Sequence, residues 1–127
     1  MAVNERRFER SDNITEALRL QLSATLRKAP MTGLVLSDED GVALAEAGDV
    51  EACREVAARL PLLGATISTF EGILLAKAGG YQVEMERVIT DDSFLFLCAI
   101  GGRSSSRGKL LSHSKSGVCR ILSNKTP

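Results

Sequence analysis

At 127 residues the chain is long enough for one domain that buries roughly two-thirds of its unfolded surface without metal or disulfide staples. Its 16 Lys and Arg balance 16 Asp and Glu, which excludes a general electrostatic pull toward nucleic acid or a membrane surface. Aromatic residues make up only 4% with no Trp, so the core must rest on aliphatic side chains; no apolar run reaches the ~18–20 residues that span a bilayer.

Residues 1–10 (MAVNERRFER) are polar and are expected to form a flexible terminus, ahead of a single domain over 11–124 and a tail at 125–127. Met1-Ala2-Val3 runs into charge rather than into an apolar core, so no secretory signal is read and a cytoplasmic protein is expected. Cys53, Cys98 and Cys119 are odd in number, far apart and set in apolar surroundings, which favours buried thiols in a reducing compartment.

A first helix is predicted from Ser11–Asn13, where Asn13 and Glu16 have capping-box spacing. Ile14, Leu18, Leu22 and Leu26 then form one apolar stripe, and Pro30 ends it. Next come two short apolar runs, Gly33–Leu36 and Val42–Ala45, around Asp38-Glu39-Asp40-Gly41. Asp-Gly between such runs predicts a β-hairpin. Gly48-Asp49 opens a second helix, with Asp49 at the N-cap and Glu51 near the positive end of the helix dipole.

Val50, Cys53, Val56, Ala57 and Leu60 fit one helical face until Pro61 and Gly64 interrupt it. Leu60, Leu63, Ile67, Phe70 and Leu74 continue in steps of three and four, so a second helical segment is predicted over 62–78 after a kink. The alternative makes Ile73 to Lys77 a strand, because Gly72 and β-branched residues weaken a helix. Tyr81 to Ile89 alternates as a half-wet strand, and Asp91-Asp92-Ser93 forms a turn. Phe94 to Ile100 is apolar throughout, as in a mid-sheet strand. A last amphipathic helix runs to about Ser123. The expected order is α-β-β-α(kinked)-β-β-α: an α+β domain with an antiparallel sheet of four to five strands and helices on its faces.

The candidates for chemistry fail individually. Gly102 to Gly108 before Lys109 has the wrong spacing for a phosphate-binding loop, and Leu110 stands where a metal-holding hydroxyl is required. His113 between Ser112 and Ser114 has no orienting carboxylate nearby in sequence, and helix neighbours point apart. Asp38 and Asp40 are followed by Val42, which breaks a calcium-loop pattern. No catalytic, cofactor-binding or metal-binding residue is therefore assigned. From Arg103 onward the chain holds no Asp or Glu, leaving Arg103, Arg107 and Lys109 as candidate contacts for an acidic partner. Aromatic residues are not interleaved with these charges, so nucleic acid is not expected.

Four stretches carry a resemblance: GLVLSDEDGVALAEAGD (33–49), EACREVAARLPLL (51–63), FLFLCAIGG (94–102) and GVCRILS (117–123). In these motifs and in element order the chain resembles the prokaryotic branch of the roadblock/dynein-light-chain family. The resemblance implies a homodimer paired along the central helix and an adjacent sheet edge. The interface would draw on Leu60, Leu63, Ile67, Phe70, Leu74, Tyr81, Val83 and Met85. It further implies a non-enzymatic scaffold or regulator of a small Ras-like GTPase. A structural adaptor within a larger complex, with no GTPase, is the alternative; a small-molecule sensor is disfavoured by the lack of polar groups clustered near an apolar pocket.

Overall fold

The computed structural model describes residues 2–64, 67–77, 79–90 and 94–123, with backbone alone for 2–12, 64 and 104–106. Eight elements follow in order: α1 (Ala2–Leu26), β1 (Gly33–Ser37), β2 (Ala43–Gly48), α2 (Val50–Gly64), β3 (Thr69–Ala76), β4 (Gly79–Ile89), β5 (Phe94–Ile100) and α3 (Ser104–Ser123). The strands form one antiparallel sheet in the order β2-β1-β5-β4-β3. The expected α+β class with an antiparallel sheet is what the chain adopts, with five strands. The uniformly apolar β5 is the central strand, as its composition predicted.

Two expectations need correction. The helix predicted to start at Ser11–Asn13 begins at Ala2, because the Glu- and Arg-rich stretch before it has good intrinsic helix propensity and no Gly or Pro to break it. The second helical segment over 62–78 is not formed. α2 passes through Pro61 to end at Gly64, and Thr69–Ala76 is strand β3, paired over its whole length with β4. Phe70, Gly72, Leu74 and Ala76 face α2, whereas Glu71, Ile73 and Leu75 take the opposite face. The predicted turn at Asp91–Ser93 lies outside the described residues.

Each sheet face has its own core. On one face α1 and α3 bury Leu18, Leu22, Leu111 and Val118 against Leu34, Leu36, Val88, Leu97 and Ala99. Where α3 packs on α1, Gly117 leaves room for the side-chain amide of Gln21, which a Cβ there would overlap. On the other face α2 lays Cys53, Val56, Ala57 and Leu60 over Val35, Val83, Met85, Phe96, Cys98 and Ile100.

The acidic hairpin is a local device. Asp38 Oδ1 accepts from the backbone N–H of Asp40 and of Val42, both at 2.9 Å, closing the turn with its own side chain. At the end of β2, Gly48 takes φ +93°, a value other residues resist, and so turns the chain into α2. Asp49 then caps the helix: its Oδ1 accepts from Ala52 N–H at 3.1 Å. Asp49→Ala is expected to cost about 1 kcal/mol in urea unfolding, and Asp49→Asn much less, since the amide oxygen can still accept. Equal losses from both would show that the cap contributes nothing.

Candidate interaction surface

The basic stretch after Arg103 is unopposed in sequence but not in space. β3 and β4 bring Glu71 directly opposite Glu84, with Glu86 further along the same face, and α3 lies over that face. Arg107 and Lys115, eight residues apart and therefore on one side of α3, answer these carboxylates. Lys115 Nζ reaches Glu86 Oε1 at 2.9 Å. The Arg107 guanidinium lies 3.8 Å from Glu84 Oε1 through Nε and 3.6 Å from Glu71 Oε2 through Nη2. Its Nη1 donates to the carbonyls of Gly101 and Gly102 at 3.2 and 2.9 Å.

Arg107 is 4% exposed, so it pins α3 to the sheet and has no face turned toward a partner. This corrects its place among the candidate contacts; Arg103 and Lys109 remain exposed. Despite Arg107, the Glu84 carboxyl titrates above the usual carboxylate range. Desolvation and the neighbouring Glu71 and Glu86 outweigh the guanidinium.

Cys53 and Cys98 are buried, and Cys119 is half-buried. Burial, reinforced by Glu46 and Asp49, pushes Cys53 up to about 12, and burial pushes Cys98 up as well. His113 is exposed, with Nε2 3.0 Å from Lys28 Nζ. Among the described residues no group of three or more His, Cys, Asp or Glu could hold a metal ion, and no helix is long and apolar enough to cross a membrane. A depression of about 550 Å³ follows the outer side of α2, lined by Glu51, Arg54, Glu55, Ala58, Arg59 and Lys77. Glu55 is held there, accepting from the Lys77 backbone N–H at 3.0 Å, while Arg59 donates to the Glu55 carbonyl.

The residues expected at a subunit interface divide by depth. Leu60, Leu74, Val83 and Met85 are buried in the α2-side core of the chain itself, because the inner stripe of α2 is needed to cover its own sheet. Leu63, Phe70 and Tyr81 are half-buried at the margin of that core, and Ile67 is 37% exposed. The apolar surface nearby belongs to other residues: Leu62 at the end of α2, 84% exposed, and Ile73 and Leu75 on β3, at 60% and 77%. β3 is an edge strand, paired with β4 on one side only. Ile73 and Leu75 share a face and lean over Gly80 of β4, where a Cβ would meet the Ile73 Cγ2 at 2.8 Å and the Leu75 Cδ2 at 3.8 Å. A two-residue apolar step on an open edge is the sequence signal that marks them, and helical spacing passes over it.

No protein-family model and no curated protein matches the chain. Solved structures do. Myxococcus xanthus MglB superposes with a TM-score of 0.66 at 10% identity, covering 89% of this chain and 92% of that one. A structure described as MglB with tetrameric arrangement gives 0.67 at 14% identity over 88% and 92%. The gliding protein MglB from Thermus thermophilus gives 0.62 at 15% identity over 87% and 91%. At such identities the likeness is one of architecture, and it agrees with the family that the motifs resemble: the chain has the roadblock fold of MglB.

Proposed function

We propose that this chain works in the cytoplasm as a homodimer, a non-enzymatic scaffold or regulator that binds a small Ras-like GTPase. The observation that carries the proposal is the open edge of β3 with Ile73 and Leu75 exposed on it. An unpaired strand edge with exposed apolar side chains is a template for pairing, and a self-complementary patch closes as a two-fold dimer. The roadblock architecture supports the GTPase assignment, and Arg103 and Lys109 are the side chains proposed to meet it.

Two measurements test this. Sedimentation equilibrium is expected to return twice the chain mass. Replacing both Ile73 and Leu75 with Lys is expected to weaken the dimer at least 100-fold while leaving far-UV circular dichroism unchanged; a wild-type monomer ends the dimer proposal. For the second, purified Ras-like GTPases of the same organism, loaded with GDP or with a GTP analogue, are titrated with the protein. Binding by one nucleotide form, weakened about tenfold by Arg103→Glu with Lys109→Glu, is the expected result. Absence of binding across that set overturns the GTPase assignment and favours the adaptor reading.

A further inference from the structure

The chain carries no net charge, but its charges are sorted to the two sides of the sheet. The β1–β2 turn leans on α2, where a Cβ at Gly41 would touch Ala58, and together they hold Asp38, Glu39, Asp40, Glu51 and Glu55. On the other side, neither α1 from Ala17 onward, nor the turn after it, nor α3 contains a single Asp or Glu. Glu16, just before this stretch, is held by Arg19. We infer that the outer face of the α1–α3 layer is a docking surface for a membrane rich in anionic lipid headgroups.

The two helices lie side by side and antiparallel. Gly117 of α3 faces the Gln21 amide of α1, and further along Lys28 Nζ donates to His113 Nε2 at 3.0 Å. With Leu18 and Leu22 turned to the sheet, Leu20 and Ala24 point away from it. The bond from Arg27 N–H to the Ser23 carbonyl carries the helical path on to exposed Arg27. On α3, Leu111 and Val118 face inward, so His113, Ser116 and Arg120 face out, and all three are exposed. Arg27 and Lys28 thus stand at one end of the face, and Arg120 lies about two turns, or ~10 Å, beyond His113. Among the described residues none of these three cations pairs with a carboxylate.

The middle of the face selects the partner. A protein interface draws its affinity from large anchors packed at its centre, and here the centre is Ala24 and Ser116. Leu20, 54% exposed, is the only large apolar side chain exposed on either helix among the described residues. Nucleic acid calls for aromatic residues among the cations, and this face sets out none. A lipid surface asks less. Each Lys or Arg brought near it adds its own attraction without a matched geometry, and one aliphatic side chain can sit among the headgroups. The acids on the far side of the sheet orient the domain with this face down. Arg103 and Lys109 mark the rim, so the surface adjoins the one proposed for the GTPase and is present in a single chain, dimer or not.

Co-sedimentation tests this with vesicles of phosphatidylcholine alone and with about one-third phosphatidylserine. The full chain is expected to bind the anionic vesicles at least about tenfold more tightly at ~0.1 M salt, and to leave them at ~0.5 M. Arg27→Gln with Lys28→Gln and Arg120→Gln should weaken that binding about 100-fold. The same loss of charge on the α2 side, Arg54→Gln with Arg59→Gln and Lys77→Gln, should change it less than about threefold. In a Cys119→Ser background, an environment-sensitive fluorophore on Ser116→Cys should shift to the blue on anionic vesicles, and one on Ala58→Cys should not. No preference for anionic vesicles, equal weakening by the two triple variants, a shift at Ala58 instead of Ser116, or tighter binding to polyglutamate than to the vesicles each overturns the assignment. None of these results touches the GTPase titration, which turns on Arg103 and Lys109.

Discussion

Replacing Arg107 with alanine is expected to lower stability by about 3 kcal/mol, the range found when one partner of a buried ion pair is removed, and the melting temperature by roughly 10 °C. The guanidinium serves three elements at once. It satisfies two carbonyls of the loop leaving β5, screens Glu84 from Glu71 where the register sets them opposite, and holds the first turns of α3 on the sheet. Because Glu71 is more than half exposed, its share of the loss is small. Most of the cost comes from stranding Gly101, Gly102 and Glu84. Arg107→Lys keeps the charge but loses the planar fork, and is expected to recover about half of the loss. The change should also be visible in pH dependence. The folded protein holds the Glu84 carboxyl above its usual range, so its protonated form is favoured in the fold. That contribution is present at acid pH and disappears as pH rises through the folded value. Stability should therefore decline over this interval, more steeply in Arg107→Ala, and the slope should flatten in Glu84→Gln. An unchanged melting curve for Arg107→Ala would mean that α3 is held by its apolar face alone.

How much of this could be read from residues alone depends on whether the signal was local. The stripe Ile14–Leu26, the Asp-Gly hairpin and the Asp49 cap were legible, because turn chemistry and one periodicity decide each of them. β3 was not. Leu60 and Leu63 belong to α2, while Phe70 and Leu74 are an even number of residues apart, so a strand facing α2 satisfies the same spacing that a helix would. What separates the two is the eight-residue pairing with β4, a tertiary fact, and the outward step Ile73, Leu75. The surplus of apolar residues at mid-chain was a real signal, but most of it is core, and the exposed remainder sits on different side chains. The buried role of Arg107 has a trace in the sequence after all. Glu84 and Glu86 occupy a strand face that must be covered, and Arg107 and Lys115 recur at helical spacing on the element that covers it.

Phe96→Ala is expected to be the most damaging core change, at about 3–5 kcal/mol. Phe96 is 1% exposed and the largest of the fully buried side chains. It lies on the central strand, with Ser37 of β1 on one side and Arg87 of β4 on the other, and packs edge-on against Phe94 with centroids 5.4 Å apart. Phe96→Leu should cost under about 1.5 kcal/mol, since most of the volume remains. The comparison that matters for function is with the edge of β3. If the protein is a dimer, its midpoint rises with protomer concentration, because association stabilises the folded chain by mass action. A cavity under α2 lowers the whole curve and leaves that concentration dependence intact. Lysines at Ile73 and Leu75 should do the reverse, removing the dependence while leaving the stability of the single chain nearly unchanged. If Phe96→Ala abolished it as well, the outer face of α2 and the seam at β3 would form one unit with the core beneath them, and the division between covered core and open edge would have to be redrawn.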